Sequence, residues 1–241
     1  MRAALLATLL TVLSPPAHTI AITGTTVITG TGAVLQNQTI LITDSIITVI
    51  GPARVIKTPT GAQIVDGRGK FVIPGLIDAH VHLATEPSGE DTRPRALARL
   101  EAALYGGVTS VRDMAGDTRA LGPLARDARA GTIASPDIYY AALFAGPAFF
   151  SDPRTHSSAE GETAGAVPWM RAVTDTTDFK TAVREAKATG ARAIKLYAML
   201  DSTAAARAIA AAHAQGMLVW AHASLRPATP GQLAGAGVDA V

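Results

Sequence analysis

Cysteine is absent from the 241-residue chain, and its absence removes several chemistries at once. There can be no disulfide framework, no thiolate zinc site, no cysteine nucleophile and no lipid anchor carried on a cysteine. Any metal must then be held by histidine, carboxylate or a less usual group. Charged residues are sparse at 17% and aromatics scarcer still at 5%, and neither sign of charge gathers into a run. The 21 Lys and Arg against 19 Asp and Glu leave a formal charge of +2. Because these charges are dispersed, the pI of about 9.1 does not argue for a nucleic-acid partner. At 48% hydrophobic residues the chain is not a disordered one. Its 24.7 kDa can bury one sizeable core, as one large domain or two unequal ones.

A long apolar run is missing too. Ala3 to Leu13 is apolar but falls well short of the roughly 20 residues that a membrane-spanning helix needs. It follows Met1-Arg2 and is broken by Ser14-Pro15-Pro16 before small residues around Ala17 to Ala21. This is the three-part layout of a secretory signal peptide. Residues 1–20 are therefore expected to be a signal peptide, and the product to be exported, periplasmic or secreted, with no stable membrane anchor after cleavage.

What is present falls into two textures. From Thr19 to about Val72, short runs rich in Val, Ile and Thr (Ile20 to Thr23, Thr26 to Ile28, Thr39 to Thr43, Ile46 to Ile50, Gln63 to Val65) are separated by turn residues such as Asp44-Ser45 and Asp66-Gly67. They predict antiparallel hairpins in a β segment over residues 21–73. After Pro74, apolar strand-like runs alternate with Ala- and Leu-rich helical segments that end in glycine. The runs are Leu76 to Leu83, Val108 to Met114, Ile138 to Leu143, Ala193 to Met199, Leu218 to Ala223 and Val238 to Val241. Between them Leu97, Leu100 and Leu104 form a helical stripe stopped by Gly106-Gly107, Asp201 or Ser202 can cap the next Ala-rich helix, and Thr229-Pro230 suits a helix start. Strands buried on both faces with helices between them predict an α/β fold, a parallel sheet or barrel, over residues 74–241. Phe144 to Thr176, rich in Gly, Pro, Ser and Thr without periodicity, reads as a long functional loop such as a lid.

The polar residues inside these apolar runs carry the chemistry. Side chains at i and i+2 of a strand share a face, so His80 and His82 project together within reach of one divalent ion. By itself a His-x-His pair is more often two hydrogen-bonded core or rim residues. Lys195, in Ala-Ile-Lys-Leu-Tyr, would be a costly unpaired ammonium in a buried strand. It must be paired, must snorkel to the strand's end, or must have its charge removed by modification. His222 ends the next run. Together His80, His82, Lys195 and His222 fall at strand C-terminal ends, where a (β/α)8 barrel builds its active site.

In their order and spacing, Pro74 to Leu83, Gly107-Val-Thr-Ser-Val-Arg-Asp-Met114, Ile194-Lys195-Leu196-Tyr197 and Trp220-Ala221-His222 resemble the amidohydrolase superfamily. The likeness runs from about Thr19 to Val241 and is greatest to the imidazolonepropionase-like and Xaa-Pro dipeptidase-like group. It implies a TIM-type barrel preceded by a small β-sandwich segment, and a centre of two divalent metal ions, commonly zinc. It also implies that His80 and His82 hold the more buried ion, that Lys195 is carboxylated and bridges both, and that His222 binds the second. A hydroxide bridging the ions would then attack an amide or dipeptide carbonyl. Tyr197, on the inward face with Lys195, and His156, in the long loop, are expected substrate contacts. Arg112 and Asp113 are expected to form a structural pair. A small-molecule or dipeptide substrate is implied, and an oligomer is left open.

The family pattern also has a histidine ending strand six and an aspartate ending strand eight. Here strand six reads Val238-Asp239-Ala240-Val241 and neither residue occurs. A whole (β/α)8 barrel needs roughly 250 residues, so the expectation is a barrel truncated after about strand 6 and inactive as it stands. The alternatives are a non-catalytic metal- or partner-binding module and, among enzymes, a mononuclear deaminase-type site, against which Lys195 argues.

Overall fold

The computed structural model describes residues 18–241, so the expected signal peptide lies almost wholly outside the described residues. The chain divides at Pro74/Gly75 into two compact units. In the first, β1 (Thr19–Ile28), β2 (Val34–Thr43), β3 (Ile46–Pro52), β4 (Gln63–Asp66) and β5 (Phe71–Val72) form one sheet in the order β3-β2-β1-β4, with β5 also on β1. β1–β2 and β2–β3 are antiparallel as the turns predict, but β4 and β5 run parallel to β1. Parallel pairing is a non-local choice that no turn residue announces. The two runs expected around Gly24 are one strand, its register shifted between Ile22 and Val27, where Gly24 takes φ +73°. Ala21, Val27 and Ile40 are buried, whereas Ile46, Ile47, Ile64 and Phe71 are exposed.

The second unit contains β6 (Leu76–Val81), α1 (Arg93–Tyr105), β7 (Val108–Asp113), α2 (Thr118–Arg129), β8 (Asp137–Ala145), α3 (Pro153–Ala159), β9 (Ala166–Val167), β10 (Met170–Ala172), α4 (Phe179–Ala188), β11 (Ala193–Leu196), α5 (Ser202–His213), β12 (Leu218–Ala221) and α6 (Pro230–Gly235). β6, β7, β8, β11 and β12 pair in parallel in that order and curl into half a barrel. The expected sixth strand is reduced to a single parallel bridge between Trp220 and Ala240. Alternation sorts the side chains. Ile194, Leu196, Tyr140, Phe144 and Val219 pack outward against Leu121, Phe179, Val183 and Ile209 of the helices, while Ala141, Ala193 and Trp220 form a smaller inner cluster with Met114.

Local chemistry sets the helix starts. Asp201 accepts from Ala204 N at 2.7 Å, and Thr229 with Gln232 forms a capping box. The segment expected to be an irregular loop is built instead from a short 3-10 turn (Pro147–Ser151), α3, β9 and β10. These pieces are each too short for a periodic pattern to register. β10 pairs with the second half of β8, Leu143 to Ala145, on the side where β7 pairs with its first half.

A second expectation fails at β6. It is exposed from Leu76 to His80 rather than buried on both faces, with Ile77 71% exposed, because its only pairing partner among the described residues is β7. Packing energetics should follow this contrast. Phe144→Ala, at a fully buried ring, is expected to lower unfolding free energy by about 3–5 kcal/mol. Ile77→Ala should change it by less than about 0.5 kcal/mol. Urea midpoints at constant m-value check both.

Candidate active site

The site grows from strand alternation at the C-terminal ends of β6, β7, β11 and β12. On β11, Lys195 and the following Tyr197 share the inward face. Lys195 pairs in register with Trp220 of β12, which puts His222, two residues on, beside Tyr197. The Tyr197 and His222 rings lie 4.8 Å apart, and Phe149 packs on the other side of Tyr197, also at 4.8 Å. Across the site the His80 and His82 rings are 5.3 Å apart. All four sequence-derived metal candidates and Tyr197 line one cavity of about 460 Å³, walled further by Glu86, Phe149 and Arg154. His156 does not line it. That residue is on the exposed side of α3, whereas Arg154, Thr155 and Ser158 of the same helix face the cavity.

Lys195 is 3% exposed. Its Nζ donates to Met114 O at 2.9 Å and lies 4.8 Å from the centre of the Tyr197 ring. Burial pushes the amine down to about 8, with Asp113 pulling back up and Arg112 pushing further down. The imidazoles of His80 and His82 are both held below the usual histidine value, by burial first and then by the Lys195 charge. At neutral pH both therefore present free lone pairs.

β7 braces the site. Met114 N donates to Val81 O at 3.0 Å and Asp117 N to Ala84 O at 2.8 Å, so the chain leaving His82 is held against the end of β7. Gly116 permits this approach, since a Cβ there would come within 2.8 Å of Ala84 O. Asp113, fully buried, accepts from Leu83 N at 2.6 Å through Oδ2, while its Oδ1 has no partner among the described residues. Burial pushes this carboxyl up to about 7 against the opposing hydrogen bond from Leu83 N. The expected Arg112–Asp113 pair does not form. Adjacent strand residues face opposite ways, and Arg112 instead donates to Ala79 O at 2.8 Å and stacks 4.6 Å over Trp220. Nothing in the sequence singles out Asp91, which accepts from Thr85 N at 3.0 Å and Glu86 N at 3.1 Å and pairs with Arg99.

Three imidazoles and a buried amine around one cavity suit a divalent metal in donor chemistry. The fit is of donor type and not of a finished coordination sphere. Among the described residues no three His, Asp or Glu side chains are gathered closely enough to hold an ion by themselves.

A family model described as amidohydrolase family matches residues 71–232. An enamidase of Eubacterium barkeri is 41% identical over 80 residues, 32% of this chain and 20% of its own length. A dihydroorotase of Staphylococcus aureus is 42% identical over 85 residues, 33% of this chain and 18% of its own length. Among solved structures, a Bifidobacterium longum protein assigned as a prolidase superposes with a TM-score of 0.71 at 27% identity, covering 93% of this chain and 54% of that one. The chain thus spans about half the length of that structure.

The Asp113 carboxyl yields a pH test on metal-free protein. Its folded value of about 7 lies above the ordinary aspartate value of 3.8, so the folded state holds a proton that the unfolded state has lost. The stabilisation it gives is full below about pH 4 and is lost as pH rises to about 7. Asp113→Asn, which keeps the acceptor for Leu83 N, is expected to flatten that part of the stability profile. Urea midpoints taken from pH 4 to 8 check it, and an unchanged slope in the variant would refute the assignment.

Proposed function

The chain belongs to the amidohydrolase family, and from that premise we propose that it provides the β6-to-β12 part of a metal-dependent hydrolase that breaks a carbon–nitrogen bond in an amide or dipeptide. The observation that carries this reading is the convergence of His80, His82, Lys195 and His222 on one cavity at the C-terminal ends of the parallel strands. Members of the family generally bind divalent metals, and these four residues would hold them here, zinc being the expected ion. When bound, a divalent pair supplies a water of lowered pKa and a Lewis acid for the scissile carbonyl.

The chain's own residues do the rest. The His80 and His82 imidazoles, kept neutral by burial and by Lys195, need not lose a proton before they donate. Lys195 is the residue that changes. Its amine, lowered to about 8, has a free-base fraction able to attack carbon dioxide. The ammonium first gives one proton to solvent; the free amine then forms a nitrogen–carbon bond to carbon dioxide as one carbon–oxygen π bond opens, a second proton leaves to solvent, and a buried cation has become a carbamate anion. Tyr197, fixed between Phe149 and His222, forms the side of the cavity against which a substrate packs. Arg154, anchored on Asp152 at 2.6 Å, adds a cation to the cavity wall. The two structural units would correspond to a small β domain and a barrel domain, and the leading segment to an export signal.

Metal retention tests the reading without requiring turnover. Chain loaded with zinc and desalted should retain metal. His80→Ala together with His82→Ala should weaken retention by more than the roughly 10–100-fold that loss of an outer-sphere partner costs. In ¹³C-bicarbonate the loaded chain should show a carbamate carbon resonance that Lys195→Met lacks. Zinc held equally well by both variants, with no carbamate signal in the parent, would overturn the proposal. A panel of amides, dipeptides, esters and lactones on the active protein then names the substrate.

A further inference from the structure

A second cavity, of about 480 Å³, lies at the N-terminal ends of β8, β11 and β12, away from Lys195 and His222. Its walls carry Arg126 and Arg129 of α2, Lys187 of α4 and Arg192, just before β11, and no Asp or Glu lines it. None of these four cations takes part in an ion pair among the described residues. By contrast Arg93, Arg95, Arg99, Arg119, Arg154 and Arg171 of the same unit are each bonded to a carboxylate. Six of the thirteen arginines of this unit are paired in this way; of the others, Arg126, Arg129 and Arg192 gather around one space with Lys187, whose Nζ donates to Gln215 O at 2.6 Å.

Helix dipoles explain part of the pattern. Arg126, Arg129 and Lys187 lie in the last turns of their helices, where a cation is favoured. That effect does not account for Arg192, which is on no helix, nor for the shared cavity. The two helix ends bring roughly half a negative charge each against four positive ones, leaving a field of about three positive charges. The Tyr140 hydroxyl, which donates to Thr189 O at 2.8 Å, belongs to the cavity lining. Burial raises that hydroxyl, and Arg126, Arg192 and Arg129 all act on it in the opposite direction. The space is kept open by missing side chains. A Cβ on Gly190 would lie 2.5 Å from the Tyr140 hydroxyl, and one on Gly122 would lie 3.5 Å from both that hydroxyl and Arg126 Nη1. Gly122 sits inside α2, where glycine weakens a helix relative to alanine.

We propose that this cavity is a binding site for a small molecule bearing a multiply charged phosphoryl group, a phosphate ester or a pyrophosphate, separate from the candidate active site. A single carboxylate would leave most of the positive charge uncompensated. Guanidinium forks match phosphoryl oxygens two at a time, which a lysine cluster would not do. The volume falls in the roughly 300–1,000 Å³ range of small-molecule sites and has room for more than a bare ion.

Isothermal titration calorimetry on the full chain tests this, at constant ionic strength so that general screening is the same in every titration. The probes are inorganic phosphate, pyrophosphate, glucose 6-phosphate and a short single-stranded oligonucleotide. Pyrophosphate should bind saturably, with about one molecule per chain. Its affinity should fall about tenfold or more in the double variant Arg126→Gln and Arg192→Gln, and should be unchanged in Arg184→Gln, an exposed cation of α4 outside the cavity. Tighter binding of glucose 6-phosphate than of inorganic phosphate assigns the ester as ligand, and the reverse order assigns the free anion class. If the double variant does not fold, Arg129→Gln and Lys187→Gln carry the same comparison. Absence of saturable binding, equal binding in the double variant, an equal loss with Arg184→Gln, or tighter binding of the oligonucleotide than of pyrophosphate would each overturn the proposal.

Discussion

An ammonium with three protons to donate and one carbonyl to receive them sits at the centre of the candidate active site. Lys195 is buried by β8, β11 and β12, and its Nζ reaches Met114 O and the face of Tyr197. One hydrogen bond from a charged donor returns about 1.5–3 kcal/mol, and a desolvated cation–π contact about 2 kcal/mol. Removing the ion from water costs several kcal/mol by itself. The compensation visible around it does not clearly exceed the cost, and the amine is accordingly displaced toward its neutral form. A group held in this way is ready to lose its proton or to gain a negative charge. The neutral imidazoles opposite it are the donors that a metal would join to such an anion.

The same constraint explains the bracing of the site by β7. The end of the strand offers Met114 O to Lys195, donates the Met114 amide to Val81 O, and fixes Leu83 N with the Asp113 carboxyl. One buried strand end thereby ties the lysine to the edge strand that carries the two histidines. Without that tie, His80 and His82 would depend on β6 alone, which is exposed and, among the described residues, paired on one side only.

Much of the site is legible in the amino-acid sequence alone, because a charged or imidazole side chain in an apolar run is conspicuous. His80, His82, Lys195 and His222 stand out for that reason, and strand alternation joins Tyr197 to Lys195. The same alternation separates Arg112 from Asp113, so the absence of that pair also follows from their adjacency. Other features depend on partners distant in sequence. Whether β6 is buried turns on what lies beside it, which its own residues do not encode. The parallel pairing of β4 and β5 on β1 is non-local in the same sense. The Phe144 to Thr176 segment hides its elements because none is long enough to show a period, and the side of α3 that meets the cavity, Arg154 and not His156, follows from how that short helix is seated.

Four side chains acting as one centre, with a modified lysine among them, are what the proposed chemistry requires. Crystals soaked in zinc and bicarbonate, with diffraction recorded across the zinc edge, give the most direct view of such a centre. The expected result is anomalous peaks bounded by the imidazole nitrogens of His80 and His82 and by His222, with added density continuing from Lys195 Nζ toward them. Zinc bound elsewhere, or bound there while Lys195 Nζ remains unmodified on Met114 O, would contradict it.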